Sequence, residues 1–244
     1  METEILKARI FDTADICDRT RKPKFLGFLT KEEAVYAQLT LKSRNTEYSF
    51  FGGYSEAERV MLGCFPEWDG DRVFPVSSVT FIYRKSDKLT HRDFLGSLMA
   101  LGITRESVGD ILSEDGRTVA FVRDDVLNFI VSQICKIGRV GVEVKKGHTL
   151  PLPERKAPLS LSSTIASERL DCVVAALCGV SRTAALEKIE SGLVSVNSVI
   201  CEKSTKIISE GDILSVRGNG RFSIKSMGCK THKNRIVLQY EKYV

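Results

Sequence analysis

Between Ser181 and Asn197 the chain reads SRTAALEKIESGLVSVN, and few folds accommodate that order of signals. Ser181 is a helix-capping residue, because its hydroxyl can accept from an amide of the first turn. Ala185, Ile189 and Leu193 recur at helical spacing. Gly192 suits the left-handed position just past a helix end. Val194–Val196 then forms a short strand, and Asn197-Ser198 turns it back into Val199–Cys201. An earlier helix is expected over Ile165–Leu177, with Ala166, Leu170, Val173, Val174 and Leu177 on one side, Arg169 free to face outward, and Gly179 as its stop. After the hairpin, Glu210-Gly211-Asp212 turns into a strand at Ile213–Arg217, and Gly218–Gly220 turns again into Arg221–Ile224. A pair of short helices leading into small strands is therefore expected over 165–226.

Arg182 sits in the first turn of the second helix. The helix dipole disfavours a cation there. The placement makes sense where free amides, dipole and guanidinium converge on one anion; otherwise Arg182 is a solvated surface residue. Residues 165–224 hold seven cations and seven acids, so bulk charge does not mark this segment as a polyanion binder. Any anion site depends on clustering on one face.

The rest of the chain is of another character. Residues 1–73 are expected to be helical. One helix spans Glu4–Cys17, followed by the basic turn Arg19–Lys24. A second is capped by Thr30, with Glu33 completing a capping box. A turn follows at Phe50-Phe51-Gly52-Gly53-Tyr54, and a third helix over 55–65 is closed by Pro66. Over 74–146 the order is strand (Phe74–Tyr83), helix (Thr90–Leu101), strands (Val108–Leu112 and Thr118–Val122), helix (Asp124–Ile134) and strand (Val140–Val144). That βαββαβ order is the ferredoxin-like plait. RNA-recognition motifs share this plait and stack bases on sheet aromatics. Phe121 occupies a fitting strand, but the fuller aromatic set is missing, so Phe81, Tyr83 and Phe121 are assigned to packing. Residues 147–164, with three prolines and a serine cluster, are expected to form an extended linker without a core. A basic tail over 227–244 carries a last strand at Arg235–Tyr240. The fold class is α+β.

Composition removes several functional classes. The seven cysteines are irregularly spaced with no CxxC pair, and His91, His148 and His232 are scattered, so no metal site and no cofactor are expected. They read as small buried hydrophobes of a reducing cytosol. The N-terminus lacks an apolar signal core, and no apolar run is long enough to span a bilayer. Asp69, Asp71, Asp124 and Asp125 are read as turn and cap residues rather than catalytic carboxylates. No Gly-rich phosphate loop precedes the 165–226 segment.

Two resemblances follow. Arg169-Leu170-Asp171, Ser181-Arg182, Ala185, Ile189, Gly192, Val194, Val196-Asn197, Gly211-Asp212 and Gly218-Asn219-Gly220-Arg221-Phe222 together resemble the S4 RNA-binding domain. The resemblance implies RNA-backbone contacts by Arg169, Ser181, Arg182, Thr183, Lys188 and Asn197, flanked by Lys203 and Lys206. Ser198 stands where relatives carry Gly.

The whole chain resembles the YlmH family. Phe25-Leu26-Gly27-Phe28-Leu29-Thr30, Phe50–Tyr54 with Ala57-Glu58-Arg59, Leu101-Gly102-Ile103 and Val108-Gly109-Asp110-Ile111 carry that likeness. It implies a non-enzymatic, monomeric cytoplasmic factor that binds large-subunit ribosomal RNA and tRNA, in quality control of stalled peptidyl-tRNA. A division-linked scaffold using the N-terminal helices and an RNA-modifying enzyme with a site in the plait remain alternatives.

Overall fold

A computed structural model describes every residue except Met1, Trp68, Asp69, Asp71, 155–157, Ser198, His232, Lys233 and Val244. The chain divides into two compact units, Met1–Arg155 and Lys156–Val244.

The first unit opens with α1 (Glu2–Thr20), β1 (Lys24–Leu29), α2 (Lys31–Leu41), β2 (Glu47–Phe51) and β3 (Val60–Phe65). The expected capping box forms: the Glu33 amide donates to Thr30 Oγ1, and the Thr30 amide donates to the Glu33 carboxylate. Correction is needed between 55 and 65. No third helix forms there. Val60–Phe65 is instead the central strand of an antiparallel sheet ordered β1-β3-β2. VMLGCF is a short continuous apolar run, which periodicity alone cannot divide between helix and strand. Burial on both sheet faces decides it. Leu62 and Cys64 pack on Ile10, Ala14 and Cys17 of α1 and Leu41 of α2. On the other face Phe65 meets Phe25 and Phe74, with centroids 5.8 and 5.5 Å away. A Cβ on Gly63 would stand 2.7 Å from the Phe65 ring, which explains the glycine within this strand.

The plait follows as β4 (Val76–Ile82), α3 (His91–Ala100), β5 (Val108–Glu114), β6 (Arg117–Arg123) and α4 (Asp124–Gln133), then the small hairpin β7 (Lys136–Ile137) and β8 (Val140–Gly141), and β9 (Glu143–Lys146). The sheet order is β5-β6-β4-β9, all antiparallel, as the βαββαβ order requires. Helices α3 and α4 cover one face through Phe94, Leu98 and Ile130, against Val79, Phe81 and Val122. Asp110 fixes the plait to the preceding segment. Its buried carboxylate accepts from the Tyr54 hydroxyl (2.9 Å) and the Glu58 and Arg59 amides (2.8 and 3.2 Å). Arg59 in turn donates to the Val108 and Phe28 carbonyls at 3.1 and 2.7 Å, and burial pulls its guanidinium pKa down.

The second unit contains β10 (Leu159–Ile165), α5 (Leu170–Cys178), α6 (Arg182–Glu190), β11 (Val194–Val196), β12 (Val199–Ile200), β13 (Ile213–Val216), β14 (Gly220–Lys230) and β15 (Ile236–Tyr243). Its sheet is ordered β10-β15-β14-β13-β11-β12. Strand β10 corrects the expectation of a coreless tether over 147–164. It pairs with β15 over seven residues without a register shift and ends in the buried Ile165. For the same reason α5 begins at Leu170, later than the expected Ile165. The core gathers Leu170, Val173, Val174 and Leu177 of α5, Ala185 and Ile189 of α6, and Leu214, Phe222, Ile224 and Leu238 of the sheet. Among the described residues, no helix is long and apolar enough to cross a membrane.

Candidate nucleic-acid interface

Two glycines and a serine set the geometry of the α5–α6 corner. Gly179 adopts φ 65°, where a side chain would be strained, and lets the Val180 amide reach the Ala175 carbonyl at 3.0 Å. Ser181 caps α6 by accepting from the Ala184 amide at 3.2 Å. Gly192, at φ 67°, closes α6, with the Leu193 amide on the Lys188 carbonyl.

The charged centre of this corner is Asp171. Its side chain is 1% exposed, although it carries a carboxylate. Arg169 donates to it through Nε and Nη2 at 3.1 and 3.2 Å, and Arg182 through Nη2 at 2.5 Å. The Cys172 amide adds a bond of 2.9 Å. These cationic donors outweigh the effect of burial and bring the Asp171 pKa down to about 2. The Arg182 pKa is raised by the same contact. Arg169, expected to face outward, does reach solvent and is also half of a two-arginine clamp on one acid. Both guanidiniums still reach solvent, with side chains 39% and 58% exposed.

Residues 203–208 form a strap beside this cluster. The Leu170 amide donates to the Lys206 carbonyl (2.8 Å), the Asp171 amide to the Ser204 carbonyl (3.2 Å), and the Ile208 amide to the Glu168 carbonyl (2.9 Å). The backbones of Ser204 and Lys206 thus lie against the N-terminus of α5, and the side chains of Lys203 and Lys206 are exposed. Thr183 is exposed in the first turn of α6. Arg169, Ser181, Arg182, Thr183, Lys203 and Lys206 hence occupy the N-terminal ends of α5 and α6 and the strap beside α5.

Lys188 and Asn197 stand apart. Lys188, on the last turn of α6, is half-buried and acts electrostatically on Cys178, as does Lys242. Asn197 has φ 51°; its Nδ2 donates to Asp212 at 2.8 Å and its Oδ1 accepts from the Ile213 amide at 2.9 Å. Both ends of its amide are engaged in holding the turn. Ser198, the position that departs from S4 relatives, lies outside the described residues.

In the plait, Phe121 is 1% exposed, stacked on Tyr54 and edge-on to His148. The face that RNA-recognition motifs use for base stacking is covered here. Asp124 accepts from the Ser77 hydroxyl and Asp125 is doubly paired with Arg123, while Asp69 and Asp71 lie outside the described residues. Among the described residues no cluster of three or more His, Cys, Asp or Glu is placed to hold a metal ion.

In the sequence Asp171 stands out only as part of the Arg169-Leu170-Asp171 motif. Its role depends on Arg182, eleven residues further along, turning back onto the first helix. The available signal was an acid two residues after Arg169 in an otherwise apolar helix.

Comparison with known proteins adds three findings. Residues 74–150 match a family model described as "Putative RNA-binding domain in YlmH". The chain is 30% identical over 223 residues to the Ribosome-associated protein quality control protein P2 of Bacillus subtilis (strain 168), covering 90% of this chain and 87% of that one. A solved structure, the cell division protein ylmH from Streptococcus pneumoniae, superposes with a TM-score of 0.54 at 21% identity, covering 61% of this chain and 92% of that one; at that identity the likeness is one of fold.

Proposed function

The chain belongs to the YlmH family, and we propose that it is a ribosome-associated RNA-binding protein without catalytic activity of its own. In this reading it works in the cytoplasm as a monomer. It holds large-subunit ribosomal RNA and tRNA together on subunits that carry obstructed peptidyl-tRNA. The name of the Bacillus subtilis relative supports the ribosomal setting, and the matched family model supports an RNA partner.

The observation that carries the reading is the clamp of Arg169 and Arg182 on Asp171. Two guanidiniums with remaining donors, from Arg169 at the N-cap of α5 and Arg182 in the first turn of α6, meet on one carboxylate, and the dipole of each helix favours an anion at that end. Phosphate is the RNA group that suits such a site, and phosphate contacts position a protein by shape rather than by base sequence. The even charge balance of residues 165–224 fits a local grip rather than general attraction to polyanions.

The test is sedimentation of the full chain with salt-washed large ribosomal subunits over a range of KCl. Arg169→Ala plus Arg182→Ala should weaken binding and lower the log–log salt slope by about one for each phosphate contact removed. Co-sedimentation identical to wild type at every salt concentration would show that the RNA face lies elsewhere.

A further inference from the structure

We propose that Asp171 is a positioning residue for RNA: an acid within the basic face whose removal weakens RNA binding. The inference rests on the RNA-binding reading above and concerns how that site is built.

An acid in a phosphate site is unfavourable by charge alone. Replacing it with a neutral group adds one unit of positive charge, which on simple electrostatics strengthens attraction to a polyanion. The geometry points the other way. Arg169 and Arg182 both reach the same carboxylate, at 3.1 and 2.5 Å, and two guanidiniums that close repel unless an anion lies between them. Arginine side chains are rich in rotamers, and phosphate binding would have to overcome that entropy if they were loose. Asp171 takes up that ordering on folding.

The carboxylate is itself fixed. Its amide is bonded to the Ser204 carbonyl, one oxygen accepts from the Cys172 amide, and the side chain has almost no solvent exposure. Donors remain for a ligand. A guanidinium offers five N–H groups, and Asp171 takes two from Arg169 and one from Arg182. The arginines are thus held in orientation without being used up. Asp171 also offsets the unfavourable placement of Arg182 in the first turn of α6. With its pKa near 2, the carboxyl stays ionised wherever ribosomes are intact.

The experiment measures binding of the full chain to salt-washed large ribosomal subunits across KCl concentrations, for wild type, Asp171→Asn, Arg169→Ala/Arg182→Ala and the triple variant, with folding followed by circular dichroism. Positioning gives about tenfold weaker binding for Asp171→Asn and a shallower salt slope, the scale of one lost charge-assisted contact. It also gives less than about a twofold further effect of Asp171→Asn once both arginines are alanine, because their effects are then coupled. Asp171→Asn binding as tightly as wild type or tighter, while the double alanine variant loses affinity, overturns the positioning role and leaves the RNA face standing. A full Asp171→Asn effect in the alanine background makes the residue structural only and overturns it too. If the double alanine variant binds like wild type, the RNA-binding assignment of this face falls, and the positioning role with it. Should Asp171→Asn fail to fold, Arg182→Lys serves instead. It keeps the charge at an exposed site but lacks the fork, so an oriented guanidinium predicts about tenfold weaker binding; equal binding overturns the proposal.

Discussion

The Tyr54 ring lies on Phe121 with centroids 4.8 Å apart and planes 23° from parallel. Around this pair the second face of the plait is closed. Gly53, at φ 101°, passes so near that a Cβ would stand 2.2 Å from the Phe121 ring, and Leu152 packs on the same cluster. A sheet that usually offers its aromatics to bases has here spent them on its own packing.

Phe121→Ala should therefore destabilise the protein by about 3–5 kcal/mol, as expected for removing a buried phenylalanine. Gly53→Ala should cost about 1–3 kcal/mol through backbone strain and overpacking. Denaturant unfolding followed by circular dichroism measures both. RNA affinity of the folded protein should be unchanged; a Phe121→Ala variant of full stability with weakened RNA binding would mean that the ring contacts bases after all.

How much of this was legible beforehand depended on which force set each element. The plait could be read because its strands and helices alternate with clear caps and turns, such as Thr90 with Asp93 and Gly102 at φ 80°. The 60–65 strand could not, because VMLGCF is apolar on every side and only partners distant in sequence decide its state. Strand β10 was hidden for a related reason. LSLSSTI looks like a serine-rich spacer until β15, about 75 residues later, pairs with it. Within the site, Arg182 was visible as an oddity of helix electrostatics. Its partner was not, since the turn at Gly179 that brings Arg182 onto Asp171 is a tertiary feature.

Asn197 should prove structural. Asn197→Ala loses two hydrogen bonds and puts at φ 51° a residue that tolerates the left-handed region less well than Asn, so about 2 kcal/mol of stability should go. Asn197→Gly removes the strain and should recover part of it. Chemical denaturation compares the two, and RNA binding at saturating folded protein should be alike in both. A large affinity loss in the glycine variant without loss of stability would instead place Asn197 on the RNA face.

Asp171 makes a definite contribution to acid stability. Its folded pKa, about 2, lies below the ordinary 3.8, so the charged form is favoured by folding. The stabilisation is complete above pH 3.8 and disappears as pH falls through 2. Asp171→Asn should accordingly be less stable than wild type at neutral pH, and the gap should close as pH falls through that window. Unfolding free energies of the two proteins between pH 7 and pH 2 provide the check. A gap independent of pH would mean that charge is not what Asp171 contributes.

Thiol chemistry separates the buried cysteines from the exposed ones. Cys135 and Cys229 are exposed, whereas Cys17 and Cys64 are fully buried. Burial, with Cys17 and Asp18 nearby, pushes the Cys64 thiol up to about 12. The nucleophile is the thiolate, so both access and ionisation hold Cys64 back. Mild alkylation at pH 8, followed by peptide mass mapping, should label Cys135 and Cys229 first and leave Cys17 and Cys64 unlabelled until denaturant is added. Early labelling of Cys64 in the native protein would mean that the α1–β3 packing opens readily, and that the strand at 60–65 is not the fixed centre of its sheet.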